Sequence, residues 1–251
     1  MKKSTLYDNF FYEAQIKESY LAATIYAKVL KKIYRPNSVV DLGCGRGAWL
    51  KAFYESGAKL LVGFDGPWNN QESMIIQQIK FKPINLNKPL QKKDSGYFDL
   101  AISVEVAEHL PEASANTFIN NLTMLSDNIV FGGAYPGQGG VDHINEKPQS
   151  YWGKLFTKNN YYPFDIFRPQ IWGNTEVPFW YQQNTFLYVK KNSALYKILS
   201  TNKITPITNL AFMDCVHPKM FEMQKKITFT LKSRIKKLTP KFLIDFIKRL
   251  K

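Results

Sequence analysis

The chain has 251 residues, of which 45% are hydrophobic and 15% aromatic, and its formal net charge is +14. This composition excludes an intrinsically disordered chain and allows one buried core with some length to spare. No run of about 18 apolar residues occurs, so the sequence predicts no membrane-spanning helix. With two cysteines and no apolar run behind the N-terminal lysines, we expect a cytoplasmic protein without disulfides or a signal peptide.

The positive charge is concentrated towards the C-terminus. Residues 190–251 carry 15 Lys and Arg against three acids, a net charge of +12, which leaves +2 for residues 1–189. Thr239 and Pro240 predict the start of a last helix, with an apolar stripe flanked by basic residues. The extension predicts peripheral contact with an anionic surface such as the inner membrane face, or packing on its own domain or a second subunit.

Strands alternate with helices through most of the chain. Helical periodicity covers residues 14–33 and resumes at 48, 113–125 and 150–158. The predicted strands begin at Ser38 and then cover residues 59–65, 81–86, 98–104, 128–131 and 185–189, with 164–169 also extended. This alternation predicts a Rossmann-like, doubly wound α/β fold with a mostly parallel sheet and an antiparallel late strand. We therefore expect a domain over residues 1–190 and a basic helical C-terminal extension over residues 191–251.

A glycine-rich turn follows the first strand, in Ser38-Val-Val-Asp-Leu-Gly-Cys-Gly-Arg-Gly47. Glycines at this spacing let the backbone approach a ligand, and the following helix points its unpaired N–H groups towards it. The second strand ends at Asp65, 24 residues after Asp41. An acid at about this sequence separation can accept hydrogen bonds from both ribose hydroxyls. The pattern predicts a nucleoside-cofactor site.

The fourth strand ends in Ser103-Val-Glu-Val-Ala-Glu-His-Leu-Pro111. Ligands of open α/β sheets bind at the carboxyl ends of the strands, so Glu105 is expected beside the cofactor, where it can pair with an amino group. The alternative is that Glu105 and Glu108 form the solvated start of a helix, where acidic residues are common.

These segments together resemble class I S-adenosylmethionine-dependent methyltransferases. Three further segments resemble a subgroup from bacterial capsule, lipopolysaccharide and other surface-glycan biosynthesis: Pro136-Gly-Gln-Gly-Gly140, Asp142-His-Ile-Asn-Glu-Lys-Pro-Gln-Ser-Tyr-Trp152 and Trp180-Tyr-Gln-Gln-Asn184. The resemblance covers about residues 7–190. It implies an O-methyltransferase that acts on a hydroxyl of a sugar or nucleotide-sugar, with S-adenosylmethionine as the cofactor.

The resemblance also implies roles for single residues near the cofactor. Gly43, Gly45 and Gly47 would line the methionine part, with Asp41 supporting the turn. Asp65 would hold the ribose and Glu105 would lie at the methionine end. Asn85 and Leu86 fall where such enzymes often have Asp-Leu near the adenine amino group, and an asparagine oxygen still accepts that hydrogen bond.

Transfer to oxygen usually needs a base, and we predict that His143 is this base. It follows the fifth strand in a loop rich in Gly, Asp and Asn. The alternative is a loop histidine that only orders Asp142 and Asn145. We expect His109 to pack or cap near the cofactor. The predicted substrate-binding residues share amide, carboxylate or aromatic side chains suited to sugars: Tyr135, Gln138, Asp142, Asn145, Glu146, Trp180 and Asn184.

Several alternatives stay open at this stage. Asp142, His143, Asn145 and Glu146 match no strong metal-ligand spacing, so no metal is predicted. A methyltransferase for a phosphate-type glycan modification, or for RNA or protein, would use the same cofactor site. Residues 1–189 are nearly neutral, so nucleic acid is the less favoured partner. A protein that binds the cofactor without catalysis is the remaining class.

Overall fold

The computed structural model describes residues 5–91 and 96–226. Seven strands in this part form one sheet. The strands are β1 (Ser38–Leu42), β2 (Leu60–Asp65), β3 (Ile79–Pro83), β4 (Leu100–Val104), β5 (Asn128–Gly132), β6 (Tyr161–Phe164) and β7 (Phe186–Lys190). The helices are α1 (Thr5–Lys31), α2 (Ala48–Ser56), α3 (Ala115–Leu125), α4 (Gln149–Lys158), α5 (Arg168–Ile171), α6 (Phe179–Asn184) and α7 (Ala194–Thr201).

The strand order in the sheet is β3-β2-β1-β4-β5-β7-β6. β1 pairs in parallel with both β2 and β4, whereas β7 is antiparallel to β5 and to β6. The predicted fold class is therefore confirmed, with its late antiparallel strand. The chain builds outwards from β1 in one direction and from β4 in the other, and ligands of such sheets bind in the crevice at this switch point.

Successive residues of the strands enter two hydrophobic clusters, one on each face of the sheet. Val39 of β1 packs in one cluster with residues of α1 and α2, and Val40 in the other with residues of α3 and α4. This alternation follows from the two-residue period of a strand. Because both faces are covered by helices, β1, β4 and β5 are apolar almost throughout.

Two predicted strands differ from the structure. The third strand covers Ile79–Pro83 instead of residues 81–86, and its parallel pairing with β2 ends where Asp65 meets Pro83. Residues 164–169 are not one extended segment, because β6 ends at Phe164 and α5 begins at Arg168. Proline at the second position of α5 suits a helix start, since its missing N–H is not needed there.

The segment after β7 continues to pack on the domain. Leu195 and Leu199 of α7 belong to one core cluster, and Met213, in a short 3₁₀ helix at Leu210–Met213, belongs to the other. The Arg168 guanidinium donates to the backbone carbonyls of Phe212 and Met213 at 3.2 Å each. These contacts attach residues 194–213 to the sheet.

By internal packing the chain divides into two units, Met1–Cys215 and Val216–Lys251. In the second unit, residues 218–226 are helical. The predicted helix at Thr239 lies outside the described residues. No helix in the described ranges is long and apolar enough to cross a membrane.

Candidate active site

The glycine-rich turn connects β1 to α2 at the carboxyl edge of the sheet. Gly43, Gly45 and Gly47 have φ angles of 86°, 51° and 87°, in the left-handed region that other residues rarely adopt. A Cβ atom built at Gly45 would meet nothing within 4 Å, so this part of the turn faces open space. The backbone of the turn is thereby exposed to a ligand.

Asp65, the last residue of β2, is fixed against this turn. Its Oδ2 accepts a hydrogen bond from the Gly45 N–H at 2.7 Å, and its Oδ1 accepts one from the Gly66 N–H at 2.7 Å. Each carboxylate oxygen keeps a second lone pair, so the side chain can still accept from ribose hydroxyls. Asp41 is buried beneath the turn. Its burial, and to a smaller extent the charge of Asp65, raise the pKa of Asp41 well above its usual value.

A cleft with two adjoining cavities, of about 680 and 670 Å³, lies over the turn. The two cavities share five lining residues: Gly43, Gly45, Asp65, Trp68 and Glu105. One cavity extends towards Asn85, Leu86 and His109, and the other towards α1 and Tyr181. An elongated ligand can therefore lie across the turn with one end in each cavity.

The first cavity suits a planar base. The Trp68 side chain is 81% exposed at its mouth, and Leu86 is buried in its wall. Asn85 also lines this cavity, and its Oδ1 accepts from the Asn87 N–H at 2.9 Å. Because that oxygen retains a lone pair, the predicted contact with an adenine amino group remains compatible with this geometry.

Glu105 lies between the two cavities in an uncommon backbone conformation, with φ at 57°. Its Oε2 accepts from Nε2 of Gln138 at 2.6 Å, and its Oε1 from Nδ2 of Asn184 at 3.1 Å. The same Asn184 nitrogen donates to Oε1 of Gln138 at 2.7 Å, which closes a three-residue network. Burial raises the pKa of Glu105, while the Asn184 and Gln138 amides lower it.

His143 is held by the loop between β5 and α4. Its Nδ1 lies 3.1 Å from Oε1 of Glu146, whose two oxygens also accept the N–H groups of Gly137 and Gly139 at 2.7 Å each. A Cβ at Gly140 would lie 2.3 Å from Nε2 of His143, so glycine is required for the ring to occupy this place. Glu146 therefore fixes both the loop and the imidazole.

Glu108 and His109 lie in a short 3₁₀ helix, Ala107–His109, just after β4. The Glu108 side chain is fully buried, so the alternative that Glu108 starts a solvated helix is wrong for this residue. Burial, together with the charge of Glu105, raises the pKa of Glu108 well above its usual value. The ring of His109 packs edge-on against that of His143 at 4.9 Å, and burial lowers the pKa of His109.

The other predicted substrate-binding residues occupy different surroundings. Tyr135 is partly buried beside the loop, and its N–H donates to Oε1 of Gln138 at 3.3 Å. Asp142 is exposed, whereas Asn145 is buried. Trp180 packs against a core cluster, with its ring 6.1 Å from that of Tyr181. The structure thus gathers Gln138, Asn184, Glu146 and His143 near Glu105 and Glu108, and sets Trp180 into the packing of the domain.

Sequence reasoning missed several residues of the cleft. Ser19 of α1 and Tyr181 of α6 both line the second cavity, and the Ser19 Oγ lies 2.9 Å from the Tyr181 hydroxyl. Nothing in the local sequence marks Ser19, whereas Tyr181 lies in the segment Trp180–Asn184 quoted above. Their contact could not be predicted, because they meet across 162 positions of the chain. Trp68 had a local signal, since it comes three residues after the acid that ends β2.

The fold and the cleft define an α/β protein built to bind a nucleoside cofactor. Comparison with known families gives a match to a methyltransferase domain over residues 12–166. The chain therefore belongs to this methyltransferase family. With its sheet order and glycine turn, it is a class I S-adenosylmethionine-dependent methyltransferase.

Solved structures share the fold at low sequence identity. The magnesium protoporphyrin IX methyltransferase ChlM from Synechocystis PCC 6803, solved with bound SAH, is 17% identical over 76% of this chain and 89% of its own, with a TM-score of 0.50. An O-methyltransferase family protein from Burkholderia thailandensis is 12% identical over 67% of this chain and 56% of its own, with a TM-score of 0.50. The search of curated proteins found no match.

The cleft fits S-adenosylmethionine on three observations. Gly45 leaves open space over the turn, Asp65 keeps free lone pairs beside it, and Glu105 presents a carboxylate where the cavities join. The methionine part, the ribose and the amino group of the cofactor need these three features. Gly43, Gly47, Asp41, Asn85 and Leu86 complete the predicted cofactor site.

Proposed function

We propose that this enzyme is an O-methyltransferase for a hydroxyl of a sugar or nucleotide-sugar in surface-polysaccharide biosynthesis. The observation that carries the proposal is the convergence of the Glu105–Gln138–Asn184 network with the loop that holds His143. The polysaccharide setting rests on the sequence resemblance of residues 136–152 and 180–184, which supply most of these side chains.

The polar side chains beside the cleft suit a hydroxylated acceptor. Gln138 is partly exposed, and its amide both donates and accepts, as sugar hydroxyls do. Asn184, predicted from the sequence to bind the substrate, is fully buried, and it instead holds Gln138 and Glu105 in place. Gln138 belongs to the same loop as His143, so an acceptor bound by this loop would bring its hydroxyl near the imidazole. We assign Tyr135, Asp142 and Glu146 to the same acceptor-facing loop, with Asn145 buried behind it.

The residues also provide the proton chemistry of transfer to oxygen. Bound S-adenosylmethionine supplies a methyl group activated by its sulfonium sulfur. The acceptor oxygen forms the new bond to this carbon, and the electron pair of the broken carbon–sulfur bond stays on sulfur. Nε2 of His143 takes the hydroxyl proton, and Glu146 beside Nδ1 stabilises the imidazolium that results.

The test is a labelled-methyl assay of the full chain with a panel of nucleotide-sugars, and with RNA and protein as competing acceptors. We expect label in a sugar hydroxyl. We expect His143→Ala to lower kcat by about 100-fold or more, the usual contribution of a general base. Affinity for S-adenosylhomocysteine should stay within about twofold, because His143 lies outside the residues that line the cleft.

His217→Ala is the matched control, because His217 lies in the second unit and is the one histidine outside this region of the sequence. Label in RNA or protein with none in any sugar would overturn the acceptor class. Normal turnover by His143→Ala would overturn the assignment of the base. Cofactor binding with no transfer to any acceptor would favour the non-catalytic class.

A further inference from the structure

A carboxylate and two imidazoles meet beside the cofactor cleft. Glu108, His109 and His143 each place one potential ligand atom within 4.8 Å of the others. Nε2 of His143 and Oε1 of Glu108 are 4.0 Å apart, which is too long for a hydrogen bond. The three side chains therefore converge without bonding to one another.

The Glu108 carboxylate is buried with few hydrogen-bond donors around it. Among the described residues neither of its oxygens makes a hydrogen bond of ordinary geometry, and only the backbone N–H groups of Glu108 and Ala134 act on it to lower its pKa. A buried carboxylate with so few donors is costly, because burial disfavours its negative charge. A cation between Glu108 and the two imidazoles would remove this cost.

The surroundings of His143 leave its Nε2 free to bind such a cation. The Glu146 carboxylate already accepts the N–H groups of Gly137 and Gly139, so at Nδ1 it acts as an acceptor and Nδ1 carries the proton. The lone pair of His143 then lies on Nε2, on the side of Glu108. A carboxylate that orients a histidine in this way is the usual outer partner of a metal-binding imidazole.

Backbone hydrogen bonds between the loop of His143 and the 3₁₀ helix Ala107–His109 hold the cluster in place. The backbone N–H groups of Ile144 and Asn145 both donate to the Glu108 carbonyl, at 2.9 and 3.0 Å. The loop that carries His143 is thereby attached to the short helix that carries Glu108 and His109. His109 also lines the first cavity, so the cluster adjoins the cleft.

We propose that Glu108, His109 and His143 bind a divalent transition-metal ion that contacts the acceptor hydroxyl. Two imidazole nitrogens and one carboxylate oxygen favour ions such as Zn²⁺ and Co²⁺ over Mg²⁺ and Ca²⁺, which prefer oxygen ligands, and Mn²⁺ binds such a mixed set more weakly than Zn²⁺. Ligand atoms around such an ion lie about 3.4 Å apart, given bonds of about 2.1 Å. Binding would thus draw the three side chains together by about an ångström.

The role of the ion rests on the proposed transfer to a hydroxyl, whereas its binding does not. A divalent ion acts as a Lewis acid and lowers the pKa of a hydroxyl that reaches it. In the metal-bound enzyme His143 is then a ligand, and the ion takes over the activation assigned above to the imidazole. Loss of turnover in His143→Ala fits both roles, so metal binding has to be measured directly.

The test is a titration of the metal-free full chain with Mn²⁺, with unbound ion followed by electron paramagnetic resonance. We expect one ion per chain. Glu108→Gln and His143→Gln should each weaken binding at least tenfold, and Glu146→Gln about 10- to 100-fold, the range for an outer partner of a ligand. His217→Gln, the matched histidine control, should bind as the unchanged chain does.

A Co²⁺ titration followed by visible absorption gives a second readout, because its bands report nitrogen ligation. S-adenosylhomocysteine affinity, measured for every variant, shows that the cleft is folded, and His109→Asn serves if Glu108→Gln fails this check. Absence of binding up to millimolar ion, or undiminished binding in folded variants of the cluster, would overturn the proposal. Neither readout uses an acceptor, so failure of the sugar assay leaves this result standing, and the reverse also holds.

Discussion

Replacing Asn184 with alanine tests how the buried network supports Glu105. The change removes one donor from the Glu105 carboxylate, worth about 1.5–3 kcal/mol, and one from the Gln138 oxygen, worth about 0.5–1.5 kcal/mol. Cleft water can replace part of this, since Glu105 is not fully buried. We expect the free energy of unfolding to fall by about 2–3 kcal/mol.

The same substitution should change the pH dependence of cofactor binding. Asn184 lowers the pKa of Glu105 against the effect of burial, so its loss raises that pKa further. The Glu105 carboxylate must be ionised to pair with the ammonium group of the cofactor. As the pH falls, the variant therefore loses this ionised form at a higher pH than the unchanged protein does. We expect affinity for S-adenosylhomocysteine to drop about tenfold at pH 6 and less than threefold at pH 8.5. The tenfold drop corresponds to the loss of about one hydrogen bond to a charged group.

Isothermal titration calorimetry between pH 5.5 and 9 measures this effect. Asn128→Ala is the control, because Asn128 is also buried and its amide donates to the Asp99 carbonyl and the Tyr34 hydroxyl at the amino end of β5, the edge of the sheet opposite the glycine turn. The control should lose stability with an unchanged pH profile. If both variants show the same profile, Glu105 does not act as an ionised group in cofactor binding.

Three further predictions concern a close contact, a buried guanidinium and the basic C-terminal residues. Gly140→Ala should displace the His143 ring and lower kcat about 100-fold, the scale for a misplacement of about 1 Å, with Tm nearly unchanged; an unaffected kcat would refute the close contact. Arg168→Met should lower the free energy of unfolding in urea by about 2–4 kcal/mol, because carbonyls in Leu210–Met213 lose charged donors; a loss below 1 kcal/mol would contradict this. Deleting residues 227–251 should keep S-adenosylhomocysteine affinity and abolish co-sedimentation with anionic liposomes; retained co-sedimentation would rule out the tail as the membrane contact.

Much of the sheet was predictable because its central strands carry a strong local signal. β1, β4 and β5 are buried on both faces, so continuous runs of Val, Ile, Leu and Phe mark them. β3, at the edge, has Lys at two of five positions and alternates in exposure, which blurred its bounds. The placement of β7 between β5 and β6 depends on packing between distant segments, and no local pattern encodes it.

Part of the site was also predictable from a local sequence signal. The turn at Gly43–Gly47 and the acid Asp65 follow strands directly, so chain position alone indicates where they lie. The burial of Glu108 could not be predicted, since a glutamate after a strand is equally suited to a solvated helix start. Its meeting with His143 depends on a loop 35 positions later, whose Ile144 and Asn145 N–H groups bond back to the Glu108 carbonyl.

The position of β7 also has a consequence for the order in which the protein is completed during synthesis. β6 pairs with β7 alone, and one edge of β5 waits for the same strand, so both stay unpaired until residues 186–190 leave the ribosome. Asn184 comes two positions before β7 and is delivered with it. A nascent chain that already contains the glycine turn therefore still lacks the donor that Asn184 gives to Glu105. The hydrogen bond from Asn184 that supports Glu105 can therefore form only after β7 has been synthesised.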